Sequence, residues 1–399
     1  MNENFCIIPF IVLNCRPNGT LKTCSQAEGA EPIPGFNLNQ DKLESFWNSD
    51  WMMDFRRRKI AGERISQCEG CKRVEKTGNK SKRQIYLEKF YDKYKDRINP
   101  NGYVNEMPAW WEFRLSSVCN SACLICTPQN STLIEKEHRK RYHQLSKYDR
   151  EQVDGCTKNQ LGNGRFLRDF WKHVDSIDAI ELHGGEPLID DNVIDTLEKL
   201  VNLGHSKRMH LHVHSNINKI DDHIIDLLNE FQSGWFGASI DAYGEENDFL
   251  RWPSKWDIVD SNFRRIHLHS GWSKTITSSV TVYQCLTLWK LLDWYLEFQN
   301  EWDIYFYHVH SPDRFAVEMI DIEKRREAAN EIESYKPIFL RHTGLDLLIN
   351  MLRSERAPDI SEYRNFITYN DFKDNIRSQD SRSLFPHIGE IYDKMYDAI

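Results

Sequence analysis

Segments typical of β-strands alternate with amphipathic helical segments through the middle of this chain of 399 residues. DDNVIDTLEKLVNLG carries apolar residues at helical spacing between the second and third strands, and DDHIIDLLNEF repeats the pattern after the third. Parallel strands joined by helices of this length require right-handed crossovers, so the alternation predicts a parallel α/β sheet, open or curled into part of a barrel. The six predicted strands cover residues 111–117, 177–183, 209–214, 235–240, 275–282 and 304–309.

The regions that flank this alternation differ from it in composition. FCIIPFIVLNC and LKTC are predicted to be two short strands of a hairpin, because Asn18 and Gly19 between them favour a tight turn. A charged helix is predicted over residues 87–99 and ends at PNG. The sequence therefore predicts a small cysteine-rich module over residues 1–100, a partial (βα)6 barrel similar to a TIM barrel over 101–321, and a helical C-terminal extension over 322–399.

Charge and hydropathy argue against several functional classes. The net charge of −8 argues against a nucleic-acid partner held by a broad basic surface. A basic run between Arg56 and Arg83 is interpreted as a solvated face, with contact to an acidic partner as the alternative. No run approaches the length of a membrane span, and MNENFCIIPF lacks the features of a secretory signal, so we expect a cytoplasmic protein with reduced thiols and no membrane contact.

Three cysteines lie within eight residues in CNSACLIC, directly after the first predicted strand. Three thiolates at this spacing can converge on one centre if the chain loops around it. A structural zinc site usually has four ligands split into two pairs. An iron–sulfur cluster held by only three thiolates leaves one iron open to a small molecule, and the glycines of GGEP after the second strand would let backbone approach that molecule closely.

CNSACLIC resembles the CX3CX2C signature of radical S-adenosylmethionine enzymes, and HGGEPLI resembles the family's glycine-rich segment. HSNIN, GASIDAYGEENDFLRW and VTVYQC are similar to the family's third, fourth and fifth strand regions, so the resemblance spans about residues 110–312. It implies a [4Fe-4S] cluster held by Cys119, Cys123 and Cys126, with S-adenosylmethionine as a second cofactor. The family commonly has an aromatic residue before the third cysteine, where this chain has Ile125.

The resemblance also implies a reaction and its contacts. A reduced cluster would cleave S-adenosylmethionine to methionine and a 5′-deoxyadenosyl radical, which abstracts hydrogen from a substrate, with flavodoxin or ferredoxin as electron donor. Arg251 is a candidate for the cofactor carboxylate, and the alternative is an ion pair with Asp248 or Glu246. The methionyl amino group would be held by Gly184, Gly185 and Glu186, and the other candidate cofactor contacts are Ser215, Asn216, Ser239 and Asp241.

A second group of cysteines lies in the first hundred residues. Cys68 and Cys71 form a CX2C pair, and Cys6 and Cys24 flank the predicted hairpin, so four thiolates can converge on one centre. FCIIPF, PNGTLKTCS and CEGC resemble the auxiliary-cluster module known as SPASM or twitch, which usually follows the barrel. The resemblance implies an auxiliary iron–sulfur cluster; zinc in its place, and Cys15 as a replacement ligand, are the alternatives.

Several functions are compatible with these motifs. The leading hypothesis is a radical S-adenosylmethionine enzyme of oxidoreductase type that oxidises or crosslinks a peptide or another small molecule. The alternative is a zinc-stabilised, non-catalytic binding module on a barrel scaffold, and a methyl transferase would need an acceptor such as Cys285. Cys156 and Cys285 are interpreted as small buried side chains. Alternation places His210, His212 and His214 on one strand face, where they would line the barrel mouth or bind a metal.

Overall fold

The computed structural model describes residues 2–27, 33–76, 80–156, 161, 164–309, 312–340 and 344–397. The chain forms two compact units. The first unit comprises Met1–Val118, Cys156–Val213 and Asp226–Gly234, and the second comprises Cys119–Gly155, His214–Ile225 and Trp235–Ile399. The predicted domain boundaries near residues 100 and 321 stay predictions.

Eight strands form a sheet in the order β2-β1-β3-β4-β5-β6-β7-β8. Parallel pairing joins β1 to β3, β3 to β4, β4 to β5 and β7 to β8. From β3 onward the spatial order equals the chain order, which defines a singly wound sheet, whereas a doubly wound sheet reverses its order. The predicted (βα)6 class is therefore confirmed. The strands are Val12–Cys15 (β1), Leu21–Lys22 (β2), Trp110–Phe113 (β3), Ala179–Leu182 (β4), His210–Ser215 (β5), Ser233–Ser239 (β6), Trp272–Val280 (β7) and Asp303–His308 (β8).

The helices between and after the strands agree with the apolar patterns of the sequence. The two helices read from DDNVIDTLEKLVNLG and DDHIIDLLNEF form at Asp191–Asn202 (α9) and Asp222–Asn229 (α10). The other helices that precede β8 are Ile8–Ile11 (α1), Leu43–Trp47 (α2), Asp50–Ala61 (α3), Glu69–Lys76 (α4), Lys82–Tyr94 (α5), Thr132–Lys140 (α6), Lys147–Asp154 (α7), Arg165–His173 (α8), Glu245–Leu250 (α11), Trp256–Arg265 (α12) and Trp289–Tyr295 (α13).

The N-terminal hairpin forms only in part. Strands β1 and β2 pair antiparallel, and Gly19 between them has a φ of +83°, as the turn prediction requires. The start of FCIIPFIVLNC, however, is the helical turn α1 rather than a strand. Pro9 lies at the beginning of that turn, where its missing N–H costs nothing, whereas in a central strand it would remove a ladder hydrogen bond.

The predicted basic face between Arg56 and Arg83 is largely neutralised within the chain. Arg56 is buried and donates to the carbonyls of Pro9 and Gly102. Lys59 is buried as well, and Arg83 pairs with Glu75 at 2.8 Å. The more exposed cations also have carboxylate partners, in the pairs Arg57–Asp54, Arg58–Glu63, Arg64–Glu69 and Lys80–Glu88. This segment therefore offers less free positive charge than its composition suggests.

The C-terminal part is mainly helical, as predicted, with helices Ile322–Glu333 (α14), Leu345–Leu352 (α15), Ile360–Arg377 (α16), Ser381–Leu384 (α17) and His387–Asp397 (α18). Helix α16 carries Lys373 and Arg377, which both contact the carboxylate of Glu137 on α6 at 2.8 Å. Within the described residues, no helix is both long enough and apolar enough to cross a membrane.

The buried side chain of His138, next to Glu137 in sequence, should make the stability of the second unit sensitive to acid. Burial lowers the pKa of His138 to about 3, from an ordinary value of 6.5. Between these values the unfolded chain binds a proton that the folded chain does not, so stability falls as the pH drops below 6.5, by at most about 1.4 kcal/mol per pH unit. Urea unfolding from pH 7 to 4 should show a shallower loss for His138→Gln than for the wild type. His143→Gln, at an exposed position, should keep the wild-type slope.

Candidate functional site

The loop that carries Cys119, Cys123 and Cys126 is fixed by hydrogen bonds along its backbone. The amide of Ala122 donates to the carbonyl of Trp252 at 2.6 Å, and the amide of Leu124 donates to the carbonyl of Leu250 at 2.8 Å. The end of α11 therefore holds the loop on one side, at two positions between its first and last cysteines.

Side chains of α16 hold the same loop through its carbonyl groups. The hydroxyl of Tyr369 donates to the carbonyl of Leu124 at 3.0 Å, and the guanidinium of Arg377 donates to the carbonyl of Ala122. Both side chains are buried, so these bonds are shielded from water. The three thiols thus lie on a backbone whose shape is set by the surrounding fold.

The environment of Cys123 and Cys126 favours the neutral form of their thiols in the absence of a metal. Burial raises the pKa of Cys123, and the nearby Arg251 offsets this only in part. Burial, followed by the neighbouring Cys123, raises the pKa of Cys126 to about 12. A bound cation would reverse this preference, because coordination deprotonates a thiol.

Arg251 forms a buried ion pair at this loop. Its Nη1 lies 2.7 Å from Oδ2 of Asp241, so the sequence alternative of a pair with Asp248 or Glu246 is not what forms; Glu246 pairs with Lys290 instead. Although burial lowers the pKa of Arg251, Cys123 and Asp241 raise it above its ordinary value. Its Nε is buried and has no hydrogen-bond partner among the described residues.

The segment after β5 also contacts the cysteine loop. Nδ2 of Asn216 donates to Oδ1 of Asn120 at 2.7 Å and to Oγ of Ser121 at 3.1 Å. Asn218, which sequence reasoning did not select, donates to the same Ser121 hydroxyl at 2.7 Å. The predicted candidates Ser215, Asn216, Asp241 and Arg251 therefore lie in one unit with the three cysteines, as does Ser239, which accepts a weak hydrogen bond from Thr277.

The GGEP segment lies in the first unit, packed against residues that directly precede the cysteine loop. A Cβ at Gly185 would lie 1.9 Å from the carbonyl oxygen of Val118, and one at Gly184 would lie 2.8 Å from that of Ser116. The amide of Glu186 donates to the same Val118 carbonyl at 2.8 Å. The buried carboxylate of Glu186 accepts a hydrogen bond from the amide of Leu188. The two glycines are thus needed for close packing of backbone on backbone.

We expect Gly185→Ala to destabilise the first unit by about 1–3 kcal/mol, because the added methyl group forces the two backbone segments apart. Urea unfolding measures the loss. Gly389→Ala is the matched control, since nothing lies within 4 Å of a Cβ there and alanine favours the helix in which Gly389 lies. Equal stability of Gly185→Ala and the wild type would contradict the packing described above.

The four N-terminal cysteines of the predicted auxiliary site lie close enough to affect one another's ionisation. Burial raises the pKa of Cys6, and Cys24 and Cys68 raise it further. Burial raises the pKa of Cys24 to about 12, with a contribution from Cys71. Burial raises the pKa of Cys68. Nζ of Lys59, which lies 3.6 Å from the Cys68 sulfur, offsets this rise only in part.

Cys15 lies apart from this group. Its thiol donates to the carbonyl of Glu112 at 3.4 Å. Burial raises its pKa to about 12, and the neighbours that modify it are Arg114 and Glu112, with no contribution from another cysteine. Cys15 therefore has different neighbours from Cys6, Cys24, Cys68 and Cys71, and the ligand set of the auxiliary site stays a prediction.

A row of polar side chains crosses three strands of the first unit, and sequence reasoning selected His212 but missed its two glutamates. Glu112 on β3 is in register with Glu181 on β4, which is in register with His212 on β5. Lys82 of α5 lies 3.4 Å from Glu112 and 4.0 Å from Glu181. The signal in the sequence was a glutamate within each of two otherwise apolar strands, WWEF and AIEL.

His183, directly before GGEP, extends this row. Its Nε2 lies 2.6 Å from Oε1 of Glu181. Although burial raises the pKa of Glu181, Lys82 and His183 hold it well below its usual range. Burial lowers the pKa of His212 to about 3, so this ring is neutral at pH 7. The predicted shared face of His210, His212 and His214 matches the alternating burial along β5.

Comparison with known proteins identifies the class of the N-terminal segment. Residues 6–72 match the model of the SPASM family, an iron–sulfur cluster-binding domain. The matched segment contains Cys6, Cys24, Cys68 and Cys71, and it confirms the predicted auxiliary iron–sulfur module at this unusual, N-terminal position. No curated protein matches the chain.

Among solved structures, the chain is similar to anSMEcpe with bound AdoMet, at 15% identity and a TM-score of 0.41 over 57% of this chain and 57% of that one. It is also similar to SuiB of Streptococcus suis. For SuiB bound to S-adenosylmethionine the identity is 12% and the TM-score 0.34, over 85% of this chain and 69% of that one. For SuiB bound to its precursor peptide SuiA the identity is 13% and the TM-score 0.36, over 97% of this chain and 77% of that one. The chain spans 57% of the length of anSMEcpe.

Proposed function

We propose that this protein is a radical S-adenosylmethionine enzyme of oxidoreductase type that acts on a peptide in the cytoplasm. Cys119, Cys123 and Cys126 would hold a [4Fe-4S] cluster, and the four N-terminal cysteines would hold the auxiliary cluster. The observation that carries the proposal is the loop of three thiols, fixed by hydrogen bonds from α11 and α16 and placed beside Arg251. The SPASM match supports the auxiliary site.

The residues present fit these cofactors. Thiols with raised pKa values, such as those of Cys123 and Cys126, are stable as thiolates only beside a compensating cation, which a metal cluster provides. The buried Nε of Arg251, without a partner among the described residues, fits an anionic acceptor such as the carboxylate of S-adenosylmethionine. Both observations point to an anionic, metal-bearing assembly at this loop.

The chain's own residues have separable tasks in this proposal. Asp241 orients Arg251 through their ion pair, so the guanidinium keeps a fixed position when it binds a carboxylate. Gly184 and Gly185 have no side chains, so in this proposal their backbone can approach the methionyl amino group closely. When bound and reduced, the cluster supplies the electron that cleaves S-adenosylmethionine and starts the radical reaction.

The buried row in the first unit offers a site for proton transfer. Removal of a hydrogen atom from a peptide leaves a carbon radical, and its oxidation would release one proton and one electron, for which the auxiliary cluster would be the acceptor. The carboxylate of Glu181 holds Nε2 of His183 at 2.6 Å and so fixes the orientation of the ring. We assign His183 the role of proton acceptor, with Glu181 as the residue that positions it.

Anaerobic reconstitution with iron and sulfide tests the proposed function. We expect brown protein with about four irons per cubane cluster, and formation of 5′-deoxyadenosine from S-adenosylmethionine when dithionite is added. Colourless protein with stoichiometric zinc would favour the alternative, a non-catalytic binding module. Absence of 5′-deoxyadenosine from fully loaded protein would refute the enzymatic proposal.

The ligand set of the auxiliary site is tested by a pair of serine variants. Cys24→Ser should lose the iron of the N-terminal site. Cys24 is close enough to Cys6 to raise its pKa, and Cys71 is close enough to raise the pKa of Cys24. Cys15→Ser should retain this iron, because the thiol of Cys15 instead donates a hydrogen bond to the backbone carbonyl of Glu112. Iron analysis and Mössbauer spectra of both variants provide the measurement. Iron loss in Cys15→Ser with full retention in Cys24→Ser would reverse the assignment.

A further inference from the structure

A cavity of about 450 Å³ lies in the second unit, and of its lining residues the proposed function uses Tyr369 alone. Its volume falls in the range typical of ligand sites. Buried side chains of Leu145, Asp149, Arg314, Tyr369 and Phe372 line it, together with exposed residues that include Lys147, Tyr148, Asp313 and Asp359. The cavity therefore combines an apolar, aromatic interior with a charged rim.

Arg314 is held rigidly in the wall of this cavity. It forms two hydrogen bonds of 2.8 Å with the carboxylate of Asp149, and its guanidinium lies 3.7 Å from the ring centroid of Tyr369. Only 9% of the residue is exposed, and its Nε has no hydrogen-bond partner among the described residues. A buried donor without an acceptor is costly, so this atom favours a ligand that brings a carbonyl or carboxylate oxygen.

The rim favours positive charge. Asp313 and Asp359 both line the cavity and are exposed, whereas Lys147 is the basic residue among the exposed ones that line it. Glu362 also lines the cavity, but its carboxylate is bound by Arg356 at 2.7 Å. Tyr148, which is 45% exposed, adds an aromatic face that can contact a cation.

We propose that this cavity anchors a short peptide segment with a basic side chain. A backbone carbonyl of the segment accepts a hydrogen bond from Nε of Arg314, and a lysine or arginine side chain lies between Tyr148 and the carboxylates of Asp313 and Asp359. This inference rests on the proposed function, since it gives the peptide substrate a second contact, away from the residue that reacts.

Tyr369 connects the cavity to the cysteine loop. Its ring lines the cavity and packs on Arg314, and its hydroxyl donates to the carbonyl of Leu124, between Cys123 and Cys126. A peptide anchored in the cavity is therefore separated from that loop by one side chain. The basic residue would fix the position of the substrate along its sequence.

Calorimetric titration of the reconstituted protein tests the proposal with two probes, acetyl-Gly-Lys-Gly-amide and its norleucine analogue. The probes have backbones of the same length and differ in the charged group. We expect saturable binding of the lysine probe, about tenfold weaker binding of the norleucine probe, and a loss of the difference at high salt. Equal affinities for the two probes would overturn the proposal.

The variant Asp313→Asn/Asp359→Asn assigns that binding to the cavity. Asparagine caps a helix about as well as aspartate, so α16, which Asp359 caps, should stay intact. We expect affinity for the lysine probe to fall about fivefold to tenfold, while Lys147→Met binds it at least as tightly as the wild type. Unchanged affinity in the double variant would refute the site.

The same samples separate the two proposals. Neither aspartate lies in the proposed cofactor site, so the double variant should form 5′-deoxyadenosine from S-adenosylmethionine at the wild-type rate when no peptide is present. Loss of probe binding with intact cleavage supports the cavity assignment. Absence of cleavage in the wild type would refute the proposed function, whatever the probes bind.

Discussion

Cys123→Ser is expected to abolish formation of 5′-deoxyadenosine and to remove about four irons per chain, while the iron of the N-terminal site is retained. Serine does not replace a thiolate ligand, and the two remaining thiols cannot hold the cluster. Loss of a residue that only supports a metal ligand lowers metal affinity or activity by about 10–100-fold. Loss of a ligand itself should therefore lower the yield of 5′-deoxyadenosine by at least about 100-fold. Iron analysis, visible absorption and the yield of 5′-deoxyadenosine measure the effect.

Cys285→Ala is the matched control for this variant. Cys285 is another cysteine of the second unit, but it is fully buried and its sulfur lies 3.6 Å from the carbonyl of Val282, within its own chain segment. We expect unchanged iron content and cleavage, and a loss of about 1 kcal/mol of stability from the small cavity. Full iron content and full yield in Cys123→Ser would contradict the assignment of the three cysteines.

Glu137→Ala is expected to lower the free energy of unfolding of the second unit by about 3–5 kcal/mol, because it removes the carboxylate shared by Lys373 and Arg377 and leaves the charge of Arg377 buried without a counter-ion. The side chains of these two residues are 1% and 0% exposed, and each contacts the Glu137 carboxylate at 2.8 Å. Urea unfolding measures the loss. The variant should also weaken iron retention, since Arg377 binds the carbonyl of Ala122 in the cysteine loop.

Glu135→Ala provides the comparison on the same helix. Glu135 pairs with Arg139 at 2.7 Å, but the arginine side chain is 51% exposed, so the pair should contribute no more than about 0.5 kcal/mol. Equal losses of unfolding free energy for Glu137→Ala and Glu135→Ala would show that burial of the Glu137 ion pairs does not determine their contribution to stability.

Local sequence patterns predicted those parts of the fold that depend on local physics. The six central strands and the helix α9 follow from apolar periodicity, and Gly19 adopts the conformation that its turn requires. The spacing of Cys119, Cys123 and Cys126 identified the loop, because three thiols on one loop need no information about distant residues.

Features that depend on tertiary contacts were predicted poorly. Arg251 has two acidic residues nearby in sequence, yet it pairs with Asp241 across ten positions, because the fold brings the end of β6 to this helix. Burial of Arg56 could not be read from a basic run. The row of Glu112 and Glu181 depends on strand register, which a single strand does not encode.

The hydrogen bonds of the cysteine loop have a consequence for the maturation of the protein. Small metal domains often fold only when their metal binds, so that ordering of the backbone opposes loading. Here Ala122 and Leu124 bind Trp252, Leu250, Tyr369 and Arg377 through protein atoms alone. If the loop holds the proposed cluster, we therefore expect iron delivery to require little additional ordering of the chain, so that an oxidised cluster could be replaced without unfolding.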